Sequence, residues 1–462
     1  MKACRFVLAI ALFLVSFGSF AEERVPTSRQ KITLSFASVV RETAPAVVNI
    51  YATRVLAERI SPFAGDPFFS QFFRGFDRAV PRVQNSLGSG VILDETGIVV
   101  SNYHVVGEAS DIRVVLNDRR EFNGRVLLAD QEADIAIIGL EDAADLPALQ
   151  LGNSDAVEVG DLVLAIGNPF GVGQTVSSGI VSGLARSGGN LGARAGYYLQ
   201  TDAPINPGNS GGALVDMDGR LIGVNTSILT RSGGSNGIGF AIPSNLVRQY
   251  IEQALEGRDQ FAKPWSGVRV QEIDSSLALA LGMTVPSGVL ITELHPSSPF
   301  AAIGVQSGDV LLEIDGLPVN APAELDYRLA TRGLASHVSV TFKGKSEIQT
   351  AGIDLSEAPN DPPANPKTVE SASPLNGLVV SNVNPLVIEE MGLPFDADGV
   401  VVRAAQGYSA RVGLRPGDML IAINGSRVLD TGDVLQFATA QTRNWNIELV
   451  RDGRRFSLRF AI

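Results

Sequence analysis

The sequence has almost no cysteine. Its one copy, Cys4, lies among the first residues, so the remainder can form no internal disulfide and carries no thiol chemistry. Histidine is also scarce. His104, His295 and His337 stand far apart, and without a Cys–His cluster neither a metal nor another cofactor is implied. Positive charge is in deficit: 37 Lys and Arg against 49 Asp and Glu give a net charge of -12. No basic block stands out, which argues against a nucleic-acid partner. A phosphate-cradling Gly-x-x-x-x-Gly-Lys-Ser/Thr loop is missing, so no nucleotide is expected. Beyond the first residues no apolar run approaches the ~20 positions a membrane-spanning helix needs.

The N-terminus has Lys2 and Arg5, an apolar run from Phe6 to Phe17, and Ser19-Phe20-Ala21. This pattern predicts a signal peptide over 1–21, cut after Ala21. An uncleaved anchor is the alternative, against which the shortness of the run argues. An exported chain that sheds its only cysteine fits a bacterial periplasm. A length of 462 residues allows roughly two to four domains.

Chemistry concentrates in Asn206-Pro207-Gly208-Asn209-Ser210-Gly211-Gly212. A serine hydroxyl is a weak nucleophile unless a base lies within hydrogen-bond reach and donors await the oxyanion. On its own the motif could be a plain turn. Two upstream residues supply partners. His104 ends an apolar run at Ser101-Asn102-Tyr103-His104-Val105-Val106, and Asp134 opens the buried-looking Ile135–Leu140. A carboxylate at the mouth of such a strand needs a partner. The order His, Asp, Ser is that of one known class of hydrolytic triad. Ser210 is the candidate nucleophile, His104 the base, and Asp134 the group that fixes the imidazole. The N–H groups of Gly208 and Ser210, with Asn209 between them, are the candidate oxyanion hole.

These motifs, with Thr201–Leu214 and Gly237–Pro243, resemble bacterial HtrA proteases of the Do-like type, over nearly the whole chain. The resemblance implies a mainly β fold: a chymotrypsin-like double β-barrel protease domain followed by two PDZ domains. Short apolar strands between Leu87 and Phe240 agree with it. The expected divisions are a protease domain over 22–260, PDZ units over 264–355 and 374–462, and a polar linker without a core over 356–373. Residues 54–86, with Phe63, Phe68, Phe69, Phe72, Phe73 and Phe76, read as a long loop; in the resembling family it contacts neighbouring subunits, while burial under its own domain is the alternative. Gly-rich loops are expected at 186–196 and 226–236, and turns at 167–171 and 175–180. A closing helix over 243–257 is expected to be capped by Ser244.

The pocket for the residue before the cut is placed among Asn206, Ile228 and Ile238. It has no acidic residue to favour Lys or Arg, so cleavage after small aliphatic residues such as Val or Ala is expected. The PDZ copies repeat a pattern: Gly304–Gly316 matches Gly413–Gly425. Peptide-binding loops fall at Trp265-Ser266-Gly267-Val268 and Leu375-Asn376-Gly377-Leu378, where Ser266 and Asn376 depart from the usual apolar residue. The second unit could instead serve assembly only. The resemblance implies an ATP-independent periplasmic endoprotease of unfolded envelope proteins. Its expected partners are unfolded polypeptides, hydrophobic C-terminal peptides and further copies of itself, as a homotrimer and higher oligomers. The alternative is mainly a holdase chaperone with secondary proteolysis.

Overall fold

The computed structural model describes residues 35–60, 78–168, 173–184, 196–206, 208–228, 237–344, 347–439 and 442–461, without the side chains of 55–60, 78–85 and 227–228. Residues 1–21, expected as a signal peptide, the six phenylalanines of the 54–86 segment, 169–171 of an expected turn, Pro207, 185–195 and 229–236 lie outside the described residues.

Six strands make the first barrel: β1 (Val47–Ile60), β2 (Arg78–Ile92), β3 (Ile98–Ser101), β4 (Asp111–Val115), β5 (Glu121–Asp130) and β6 (Ile135–Leu140). They pair in the order β1-β2-β3-β6-β5-β4, and β4 closes on β1. The second barrel holds β7 (Leu162–Gly167), β8 (Thr175–Gly183), β9 (Leu199–Thr201), β10 (Ala213–Val215), β11 (Leu221–Ile228) and β12 (Gly239–Pro243), closed where β7 meets β10. Closure removes the exposed edges an open sheet would carry. Val47, Val91, Val100 and Ile137 of the first barrel pack in one apolar cluster with Leu164, Ile166, Val224 and Phe240 of the second. Each such side chain, fully buried, contributes about 1.5–3 kcal/mol. The barrels therefore share a core, and their seam is fixed from within.

Two smaller sheets follow. The first has β13 (Val268–Glu272), β14 (Val289–Leu294), β15 (Val310–Ile314), β16 (Leu317–Pro318), β17 (His337–Lys343) and β18 (Ile348–Asp354). The second has β19 (Lys367–Thr368), β20 (Leu378–Asn382), β21 (Val400–Ala405), β22 (Met419–Ile423), β23 (Ser426–Arg427), β24 (Asn444–Arg451) and β25 (Arg454–Ala461). Both are PDZ-like, with a helix (Pro322–Arg332 or Thr431–Ala438) laid on the apolar cluster of the sheet. The first unit docks on the second barrel through its helix. Tyr327 stacks on Tyr197 at 3.9 Å between centroids and shares hydrogen bonds with Ser154 and Asp155, while Arg328 pairs with Asp155 at 2.8 Å.

Four expectations are corrected. Residues 54–60 are not loop: they continue β1, paired with 78–84 of β2. Beyond Thr53 this ribbon has lost β4 as a neighbour, and its sequence shows no clear alternation to read. Residues 175–180 are strand, not turn. Gly179 is there because a Cβ would collide with the Ala203 backbone nitrogen. Ser244 does not cap the closing helix Ser244–Leu255: Pro243 holds that position, and the Ser244 hydroxyl donates to the Gly152 carbonyl at 2.9 Å. Residues 356–373 are not a coreless linker. Ala364 and Val369 are buried, and Lys367–Thr368 form β19 on β20, because the backbone of this polar stretch finds its hydrogen bonds on a sheet edge.

Candidate active site

His104 and Asp134 are brought together by the β3–β6 pairing, in which Ser101 lies opposite Ala136. After β3 the chain turns through one helical turn, Tyr103–Val106, that carries the imidazole. Asp134 sits just before β6 in the left-handed region, at φ 59°, a conformation Asp tolerates better than most side chains. Its carbonyl accepts from Asn102 Nδ2 at 2.9 Å and from the Tyr103 N–H at 3.1 Å. Its carboxylate accepts from the His104 N–H at 3.1 Å and faces Nδ1 at 2.8 and 3.0 Å. The Thr226 hydroxyl donates to the same carboxylate at 2.6 Å. Burial pushes the Asp134 carboxyl up. The His104 hydrogen bond and charge, with the Thr226 hydroxyl, outweigh burial and hold it below its ordinary value. An anion held on Nδ1 keeps that nitrogen protonated and leaves Nε2 as the basic atom.

Ser210 comes from the other barrel, on the turn leading into β10. The turn is built from Asn209 N–H to Asn206 O (2.9 Å), Gly212 N–H to Asn209 O (2.9 Å) and Gly211 N–H to Asn225 O (2.8 Å). Gly211 has φ 81°, and a Cβ there would run into the Ser89 carbonyl; only glycine fits. Ser89, wholly buried on β2, stitches the barrels: its N–H donates to Ser210 O at 2.9 Å, its hydroxyl to Gly208 O at 2.6 Å, and it accepts from Asn168 N–H at 2.9 Å.

The Ser210 hydroxyl donates to the Thr226 carbonyl at 3.0 Å. Among the described residues it makes no hydrogen bond with His104. Thr226 thus touches both halves of the site, with its hydroxyl on Asp134 and its carbonyl on Ser210. A neighbouring hydroxyl, Ser101, is fully buried and donates to Ser89 O at 2.7 Å; it has no path to a substrate. Of the three expected oxyanion donors, Asn209 is corrected. Its N–H is taken by Asn206 O and its side chain is buried. The N–H groups of Gly208 and Ser210 have no acceptor among the described residues. A serine linked through Thr226 to the carboxylate of an anion-held imidazole, with two N–H groups uncommitted among the described residues, has the parts that nucleophilic attack on a carbonyl needs.

Of the pocket residues, Ile238 packs half-buried on the shared core and Asn206 is half-buried. Ile228 pairs with Gly239 through its backbone, its side chain lying outside the described residues. The Trp265–Val268 loop leads into β13, with Gly267 at φ 62° and Trp265 buried; the Leu375–Leu378 loop leads into β20, with Gly377 at φ 79°. Among the described residues no three His, Cys, Asp or Glu side chains gather as a metal site. Sequence reasoning missed Ser89 and Thr226. A polar run, Asn225-Thr226-Ser227, after the apolar start of β11 was the available signal for the second.

Residues 88–224 match the trypsin-like peptidase domain family and residues 264–355 the PDZ domain family. The chain is 34% identical over 448 residues to a probable periplasmic serine endoprotease DegP-like of Marinomonas sp. (strain MWYL1), covering 92% of this chain and 93% of that one. It is 34% identical over 458 residues to the periplasmic serine endoprotease DegP of Escherichia coli (strain K12), covering 94% and 93%. Among solved structures it resembles the HtrA-type protease AlgW with a decapeptide, at 36% identity and a TM-score of 0.51, covering 71% of this chain and 99% of that one. Triad geometry at a two-barrel seam, PDZ-like sheets behind it, and identity along nearly the whole length together make this chain a member of the HtrA family of serine proteases, of the DegP/DegQ type.

Proposed function

We propose that Ser210, His104 and Asp134 form the catalytic triad, and that the chain cuts unfolded polypeptides in the bacterial periplasm without ATP. The observation that carries this reading is Thr226, whose hydroxyl holds Asp134 at 2.6 Å while its carbonyl holds Ser210 at 3.0 Å. One residue thereby ties the nucleophile to the carboxylate that holds the imidazole. On turning to His104, Ser210 gives its proton to Nε2 and attacks the substrate carbonyl. The N–H groups of Gly208 and Ser210 receive the oxyanion. His104 returns the proton to the leaving amine as the C–N bond breaks, and water then releases the acyl group by the same path. The hydrogen bond to Thr226 is the resting state, and it is given up when the hydroxyl turns to His104.

Residues 1–21 act as a leader removed after Ala21, residues 22–260 as the protease domain, and 264–355 and 374–462 as PDZ units. The names of the relatives place them in the periplasm, and solved structures of AlgW hold a decapeptide or a tripeptide. By that likeness the first unit binds peptides; on the family reading these are hydrophobic C-terminal peptides, and the chain assembles into trimers and larger oligomers. Asn206, Ile228 and Ile238 shape a small apolar pocket. The test is mass analysis of unfolded casein incubated with the protein and with Ser210→Ala. Fragments ending in Val or Ala, made only by the unsubstituted protein, are expected. Fragments from both, or from neither even with an added hydrophobic C-terminal peptide, overturn the assignment.

A further inference from the structure

A PDZ unit takes a peptide by adding it as a strand to its sheet edge, between the carboxylate loop and the facing helix. In the first unit that edge strand, β13, pairs only with β14 among the described residues. The Gly267 N–H in its loop has no acceptor there. The second unit differs. Along β20 lie Lys367 and Thr368, antiparallel and opposite Val380 and Val379. The Val369 N–H donates to Leu378 O at 2.8 Å, and Val369 O accepts from the Gly377 N–H at 2.9 Å. A carbonyl therefore stands where the loop would meet a ligand's carboxylate.

The side chains agree with the backbone. Val369 is 1% exposed and packs in one cluster with Leu378 and Val380 of β20 and Val434 and Ala438 of the facing helix Thr431–Ala438. That helix also grips the segment by polar contacts. Thr431 Oγ1 donates to Asn365 O and accepts from Asn365 Nδ2, both at 3.1 Å. Upstream, Ala364 O accepts from the Asn382 N–H and the Ser381 hydroxyl, each at 2.8 Å. Asn376, the polar residue in the carboxylate loop, donates to Ser371 O at 2.9 Å, tying down the chain just after it leaves the groove.

We propose that the peptide groove of the second PDZ unit is filled by residues 364–369 of the same chain, with Val369 seated as the terminal apolar residue of a peptide, so that carboxylate-ended peptides from outside bind the first unit only. The proposal rests on the reading of these units as peptide-binding modules. The tethered segment competes at an effective concentration of about millimolar, which a free peptide at micromolar levels does not overcome. Because the chain runs on past Val369, it offers the loop a neutral carbonyl and forgoes the stronger charge-assisted bonds of a carboxylate.

Two measurements on the full chain carrying Ser210→Ala test this. In hydrogen exchange, the Val369 N–H is expected to exchange at least about 100-fold slower than unstructured chain; exchange at the free rate overturns the proposal. In titration with a labelled peptide ending in Val with a free carboxylate, and its amidated form as control, one site per chain is expected. Val369→Asp, or Lys367→Pro at an exposed position, is expected to open a second. Two sites in the parent overturn the proposal. So does the failure of both variants to gain a site while the β20–β21 amides stay protected. Absence of any site in the parent refutes recruitment by the first unit, and exchange at Val369 then decides the self-occupied groove by itself.

Discussion

Thr226→Val removes one hydroxyl and keeps the β-branched shape. The lost bond, 2.6 Å long, ends on a carboxylate that is 7% exposed, so water cannot replace it well. Hydrogen bonds to charged groups contribute about 1.5–3 kcal/mol. Taking about 2 kcal/mol, the two-barrel domain should lose roughly 4–8 °C in Tm. The Asp134 carboxyl also loses a donor that opposes burial, so it shifts upward. Its folded value lies below its unfolded value, so the stability it contributes is present above the unfolded value and lost as pH falls through the folded one. In the variant the onset, set by the unfolded value, stays where it was, while the loss becomes smaller and is complete at a higher pH. Catalysis suffers because the imidazole cation formed during attack faces a less firmly held anion, and if most of the 2 kcal/mol acts there, kcat/KM falls about tenfold. Calorimetry and peptide hydrolysis across pH 4–8, with Thr226→Ser as the rescuing control, make the measurement. Unchanged Tm and an unchanged acid limb in Thr226→Val, or equal losses in Thr226→Ser, would refute the reasoning.

Gly211→Ala puts a methyl against the Ser89 carbonyl at a φ of 81°; a loss of more than about 3 kcal/mol is expected, read as failure to purify folded protein or a collapse in Tm. Asp155→Ala leaves Arg328, with a side chain only 10% exposed, without its carboxylate. Docking of the first PDZ unit should weaken by about 3 kcal/mol, seen as faster proteolysis between 256 and 264, and a second change, Arg328→Leu, should recover most of it. Undiminished docking in the single variant contradicts the importance of the pair.

The proposed triad was legible because each member breaks a local rule. His104 stands at the end of one apolar run and Asp134 at the mouth of another, and Ser210 stands among glycines. Barrel strands such as Ile135–Leu140 announced themselves by buried runs bounded by turn residues. Ser89 and Thr226 did not. Each looks like an ordinary strand residue, and each matters only because the other barrel supplies what it bonds. Val369 was hidden for a related reason. One branched apolar side chain in the polar 356–373 stretch sets no period, and its partners, β20 and the Thr431–Ala438 helix, come later in the chain. The ribbon of 54–60 with 78–84 was unreadable because backbone pairing alone imposes no period on the sequence.

His104 and Asp134 belong to one barrel and Ser210 to the other, and the contacts that join them cross the seam through Ser89 and Thr226. With the proposed triad, a slip of one barrel against the other, too small to melt either sheet, would part nucleophile from base, so the seam acts as a fuse: activity should fail before either barrel unfolds.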